Sequence, residues 1–203
     1  MDPTSLIFSI VVLIFSVILH EVSHGYAAEM LGDPTARYQG RLTLNPFAHI
    51  DLFGSVILPV LLIVTHSPFL IGWAKPVPYN PYNLRNQRWG EAIVATAGPL
   101  VNILIAVIFG LIIRFGSDFS VATLSIISTV VIINLLLAIF NLVPIPPLDG
   151  SKILFSILPY GARGLRTGLE QYGFILVLVF VFFLWGYVAP VIGVLFSLIT
   201  GIS

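Results

Sequence analysis

The sequence predicts an all-α polytopic membrane protein. The expected architecture is a bundle of about 4–6 transmembrane helices with a short membrane-associated β-strand region and a re-entrant segment. Three observations predict it. Charged residues are only 9% of the 203, against roughly 25% in soluble domains. Hydrophobic residues reach 58%, with a mean hydropathy of +1.04. Apolar runs near the length of about 20 residues that a bilayer crossing needs recur along the chain. The formal net charge is zero, so no basic surface points to nucleic acid. There is no cysteine, so any metal must be held by His, Asp, Glu or Asn. No stretch is large and polar enough for a soluble module, so residues 1–203 read as a single integral-membrane domain.

The first span covers residues 5–30. It lacks a basic leader and a small-residue cleavage pattern, so it reads as a retained span. Gly32-Asp33-Pro34 ends it. Residues 35–50 mix Arg37, Tyr38, Gln39, Arg41 and Thr43 around Gly40, which predicts one or two short strands. Residues 52–71 are apolar but broken by Pro59 and His66-Ser67-Pro68; they either span or re-enter, and His66 reads as a turn residue. A proline- and asparagine-rich loop follows over 72–90, then spans over 91–115 and 121–143. Residues 171–200 hold one long bent helix or two, divided near Trp185-Gly186.

Charge chooses between the two topologies. If 52–71 re-enter, Arg37, Arg41, Lys75, Arg85, Arg88, Lys152, Arg163 and Arg166 share the cytoplasmic side, and only Arg114 lies opposite. A full crossing reduces eight against one to six against three, so the positive-inside rule favours re-entry.

One stretch breaks the apolar pattern of the first span: His20-Glu21-Val22-Ser23-His24. Histidines at i and i+4 lie one turn apart on one face and can share a metal ion, with the intervening glutamate able to reach a water on it. Ionisable groups at membrane depth are costly, so such a cluster is a functional hypothesis by default. A catalytic zinc takes three protein ligands and keeps one position for water. With cysteine absent, Asp149 is the outstanding third candidate. It follows an apolar span and a proline-rich turn, precedes Gly150, and returns to the histidines' leaflet if 52–71 re-enter. Glu21 then serves as general base. Asn102, in Gly98-Pro99-Leu100-Val101-Asn102, reads as structural or as a brace for the site. His49, beside Asp51, reads as an ordinary interface residue, with a metal or gating role as its sharper alternative.

His20-Glu21-x-x-His24, Gly98-Pro99-Leu100-Val101-Asn102 and Asn141 through Leu148-Asp149-Gly150 together resemble the site-2 protease family of intramembrane zinc metalloproteases. The resemblance extends over nearly the whole chain, least distinctively at its last spans. It implies one catalytic Zn2+ on His20, His24 and Asp149, with Glu21 as base. It further implies that Asn141 holds the substrate backbone or the oxyanion, and that strands after the first span pair with an unwound substrate. With no inserted PDZ domain the chain looks like the family's minimal branch. The implied partners are a transmembrane protein substrate and the lipid bilayer. The implied place is a prokaryotic inner or plasma membrane, crossed several times, with the site toward the cytoplasm. The rival readings are a divalent-cation transporter, which should carry ligands at several depths, and a silent binder of membrane helices, which would not need Glu21.

Overall fold

The computed structural model describes residues 3–65, 72–159 and 162–202. Among the described residues, four helical runs are long and apolar enough to cross a membrane: Thr4–Met30, Gly90–Phe115, Val121–Asn141 and Gly164–Thr200. The chain is a multi-pass membrane protein. The elements are α1 (Pro3–Met30), α2 (Thr35–Tyr38), α3 (Leu58–Val64), α4 (Gly90–Phe115), α5 (Val121–Asn141), α6 (Asp149–Ile157), α7 (Arg163–Val179) and α8 (Trp185–Thr200).

Helix α4 is the hub, packing on α1, α5, α6 and α8. Its small residues allow this. Ala92, Ala95, Gly98, Ala106 and Gly110 are all buried, and small side chains let membrane helices approach closely where water supplies no drive for association. The apolar core joins Ala106 and Ile113 of α4, Val131 and Leu135 of α5, and Ile192 of α8.

The strands expected over residues 35–50 are not there. Among the described residues this region is helical turns: α2, then a 3-10 turn over Pro46–His49. The cause is local. Asp33 Oδ1 accepts from the Thr35 N–H and hydroxyl, which starts a turn in the manner of a helix cap. The N–H groups of Tyr38, Gln39, Gly40 and Arg41 then bond within that turn, to Pro34, Thr35, Arg37 and Ala36. Donors used locally are not available to a ladder, so β-forming side chains did not decide the backbone.

Residues 52–57 form a π-helical turn that leads into α3. Together they make 13 helical residues, about 20 Å of rise against about 30 Å of hydrocarbon. Trp73 N–H donates to Gly54 O (3.2 Å) and Ser55 Oγ donates to Trp73 O (2.8 Å). The chain at residue 73 is therefore back beside residue 54. His66 and the rest of 66–71 lie outside the described residues. At the C-terminal end, α7 and α8 form one helical run joined by a π-helical turn, Phe180–Leu184. It begins at residue 163 rather than 171, and its break falls at the expected Trp185.

Candidate active site

Three elements deliver the candidate ligands. His20 and His24 project from α1 with their rings edge to face, centroids 4.7 Å apart. Helix α5 ends at Asn141, and the prolines at 144, 146 and 147 prevent its continuation. The chain turns and restarts as α6, whose first residue is Asp149. His20, His24 and Asp149 each offer an atom within 4.8 Å of the others. His20 Nε2 and His24 Nε2 lie 3.0 and 3.2 Å from Asp149 Oδ2.

The proton on each imidazole follows from groups that can only accept. His24 Nδ1 lies 2.7 Å from the Val94 carbonyl, so Nδ1 carries the proton. For His20 the sense is relayed through two amides. Asn134 Nδ2 donates to the Val130 carbonyl (2.9 Å) and to Ser16 Oγ (3.0 Å), which turns Asn134 Oδ1 toward Asn102. Asn102 Nδ2 donates to that oxygen (2.9 Å) and to the Ser16 carbonyl (3.3 Å). Asn102 Oδ1 is left facing His20 Nδ1 at 2.6 Å. His20 Nδ1 must then donate, and with both rings neutral the two Nε2 atoms keep their lone pairs.

Those lone pairs face a carboxylate oxygen, itself an acceptor. With neutral rings, three acceptors converge at distances that a cation among them would satisfy, and two imidazoles with a carboxylate are a known donor set for a catalytic metal. Gly98 leaves the room: a Cβ there would stand 2.5 Å from His24 Nε2 and 2.6 Å from His20 Nε2. The residues present fit a metal ion.

The three ligand candidates line a cavity of about 670 Å³ together with Glu21, Asn141, Val77 and Lys152. Glu21 Oε2 accepts from the Val77 N–H at 2.8 Å. Asn141 reaches the cavity, while its Nδ2 donates to Leu137 O, one turn back in α5 (2.9 Å). Asn102 sits in the buried relay. His49 stands apart from the ligand cluster. It is 3% exposed, donates from Nε2 to the Thr43 carbonyl (2.9 Å), and accepts the Lys75 N–H on its own carbonyl (2.9 Å).

Sequence reasoning passed over Asn134, Ser16 and Val77. An amide inside a 21-residue apolar helix was a signal for Asn134, by the cost argument applied to His20. Nothing in sequence separation tied Val77 to Glu21.

Comparisons with known proteins agree with this geometry. The model of peptidase family M50 matches residues 116–185, the stretch that holds Asn141 and Asp149. YwhC of Bacillus subtilis, named as a zinc metalloprotease, is 39% identical over 186 residues, which cover 87% of this chain and 81% of that protein. Rip2 of Mycolicibacterium smegmatis, named likewise, is 31% identical over 82% of this chain but 63% of its own length. Zinc metalloprotease MJ0392 of Methanocaldococcus jannaschii is 27% identical over 73% of this chain and 33% of its own. No solved structure matches the chain. Identity of this extent over most of the Bacillus relative decides the assignment: the chain belongs to peptidase family M50, the site-2 protease family.

Proposed function

We propose that this protein is a zinc-dependent endopeptidase that cuts peptide bonds within transmembrane segments of other membrane proteins. The observation that carries the reading is the convergence of His20 Nε2 and His24 Nε2 on Asp149 beside Gly98, with Glu21 next to His20 on a largely apolar helix. His20, His24 and Asp149 would hold the ion. When bound, zinc polarises a substrate carbonyl and lowers the pKa of a coordinated water toward about 7.

The rest is done by the chain's own groups. Glu21 takes a proton from the attacking water and returns it to the amine that leaves as the C–N bond breaks. The carboxylate is presented by Val77 N–H within the cavity. Asn141, on the cavity wall, is suited to donate an amide hydrogen to the substrate backbone or the developing oxyanion once it gives up Leu137 O. Asn102 holds the His20 ring. The ligands lie at one level, as an enzyme centre requires and a transport path does not.

Cytoplasmic placement of the site rests on the eight-to-one charge count and on the bonds between Trp73 and residues 54 and 55, which support a segment that enters and returns. The test is cleavage of single-span substrates by purified protein in proteoliposomes. Cleavage should be lost on chelation and restored by Zn2+. Glu21→Gln should lower it by about 10²–10⁴-fold while metal content stays at one ion per chain. Undiminished cleavage by Glu21→Gln refutes the general-base role.

A further inference from the structure

The segment that meets Glu21 is Trp73-Ala74-Lys75-Pro76-Val77-Pro78, and its chemistry is unusual for a loop. Proline has no N–H and a fixed φ, and the residue before a proline is confined to extended backbone. Lys75 and Val77 both precede prolines. The backbone from 75 to 78 is therefore stiff before it makes any contact. Between the two prolines stands one main-chain donor, Val77 N–H, and it goes to Glu21 Oε2 at 2.8 Å.

The segment is tied on both sides of that donor. Lys75 N–H donates to His49 O (2.9 Å). Arg41 Nη2 donates to Lys75 O (2.8 Å) and Pro76 O (3.3 Å). Asn80 N–H donates to Asp33 Oδ2 (2.6 Å). Arg41 is only 7% exposed, and its Nε is buried without a partner. Burying a guanidinium is expensive, and here it serves the carbonyls beside the Val77 donor. The Val77 side chain is 5% exposed and sits over Gly25, one turn beyond Glu21; a Cβ at Gly25 would come within 2.8 Å of Val77 Cγ1.

We propose that Val77 is a positioning residue for Glu21: its N–H, held by the two prolines and by Arg41, fixes the carboxylate in the orientation that proton transfer requires. The inference rests on the reading of Glu21 as the general base. A glutamate side chain has three rotatable bonds, and one oxygen pinned by a backbone donor leaves the other to exchange the proton. A donor bonded to a carboxylate is stronger and shorter than a neutral pair, and a misplacement of about 1 Å in a reacting group can cost about 10²-fold in rate.

The experiment compares Val77→Pro, which removes the N–H, with Val77→Ala, which keeps it. Both are set against wild type and Glu21→Gln, with zinc stoichiometry and thermal melting measured on every sample. Val77→Pro should lose about tenfold to a hundredfold in kcat with KM and zinc content near wild type. Val77→Ala should lose under about threefold, since the backbone donor survives. If Val77→Pro does not fold, Arg41→Ala loosens the same segment with the donor intact, and Arg41→Lys should recover part of the loss. A folded, zinc-loaded Val77→Pro (or Arg41→Ala) enzyme that keeps wild-type kcat beside an inactive Glu21→Gln overturns the inference alone. A raised KM with kcat preserved also overturns it, because the segment then serves substrate binding. A raised kcat does the same, because the segment then obstructs the site. An active Glu21→Gln removes the reading beneath it.

Discussion

Asp33 and Asp149 are both aspartates next to the membrane helices, and their surroundings are opposite in kind. Asp33 is 0% exposed and is met by donors only: the Thr35 N–H and hydroxyl, the Asn83 amide and the Asn80 N–H. Burial opposes its charge. The hydrogen bonds from Thr35, Asn83 and Asn80 outweigh burial and hold its carboxyl below the usual range. Asp149 is met by two imidazole nitrogens whose protons have been placed on the far side of each ring. A carboxylate with its lone pairs answered is architecture. One that faces two neutral imidazole nitrogens is a candidate ligand, and the difference lies in its neighbours' polarity rather than in its own depth.

The contrast can be broken from either end. Asp149→Ala should abolish metal binding and lower cleavage by at least about a thousandfold, by metal analysis and peptide assay, whereas Asp33→Asn should leave zinc stoichiometry at one. Gly98→Ala should come close to Asp149→Ala in loss of bound metal and should also lower the melting temperature, because the new methyl stands where the Nε2 atoms of two held rings converge. Asn134→Leu removes the acceptor that turns Asn102 toward His20. It should weaken zinc affinity by about tenfold to a hundredfold in a chelator competition, with ¹⁵N shifts of His20 reporting the loss of a fixed tautomer.

The smallest effect belongs to Asp33. Its pKa is depressed in the folded protein, so its contribution to stability is complete above the unfolded carboxyl value of about 3.9 and disappears as pH falls through the lower folded value. Asp33→Asn leaves buried donors unanswered and should cost about 1–3 kcal/mol at neutral pH. Its melting temperature should then fall less steeply below pH 4 than that of wild type, as followed by calorimetry in micelles.

Much of this was legible in the sequence for physical reasons. A span must be long and apolar, so the four crossings were readable to within a few residues, apart from the start of the last. Histidine and glutamate in such a span are costly, so His20, Glu21 and His24 announced themselves. Asp149 stood out because it follows an apolar span and a proline-rich turn and precedes Gly150. The strands at 35–50 failed because Asp33 is not a β-breaker alone: its oxygens organise the next turn, and that depends on where Asn80 and Asn83 come to rest. Asn134 was visible as an amide out of place, but its partner was not. Val77 was invisible, since a backbone N–H has no letter in the sequence. His49 illustrates the remaining limit. Its Nε2 gives its proton to Thr43, the reverse of His20 and His24, and it is the backbone carbonyl of this residue, rather than its ring, that ties residue 75.

The last helical run carries a consequence of simple length. Its 37 residues from Gly164 to Thr200 rise about 55 Å, nearly twice the hydrocarbon thickness of about 30 Å. Either the rod leans steeply or a stretch on the order of 15 residues stands clear of the lipid. Its charged end carries Arg166 and Glu170, which pair with each other and border the cavity that holds Asp149. Part of the cavity wall is thus the polar end of the longest apolar run among the described residues.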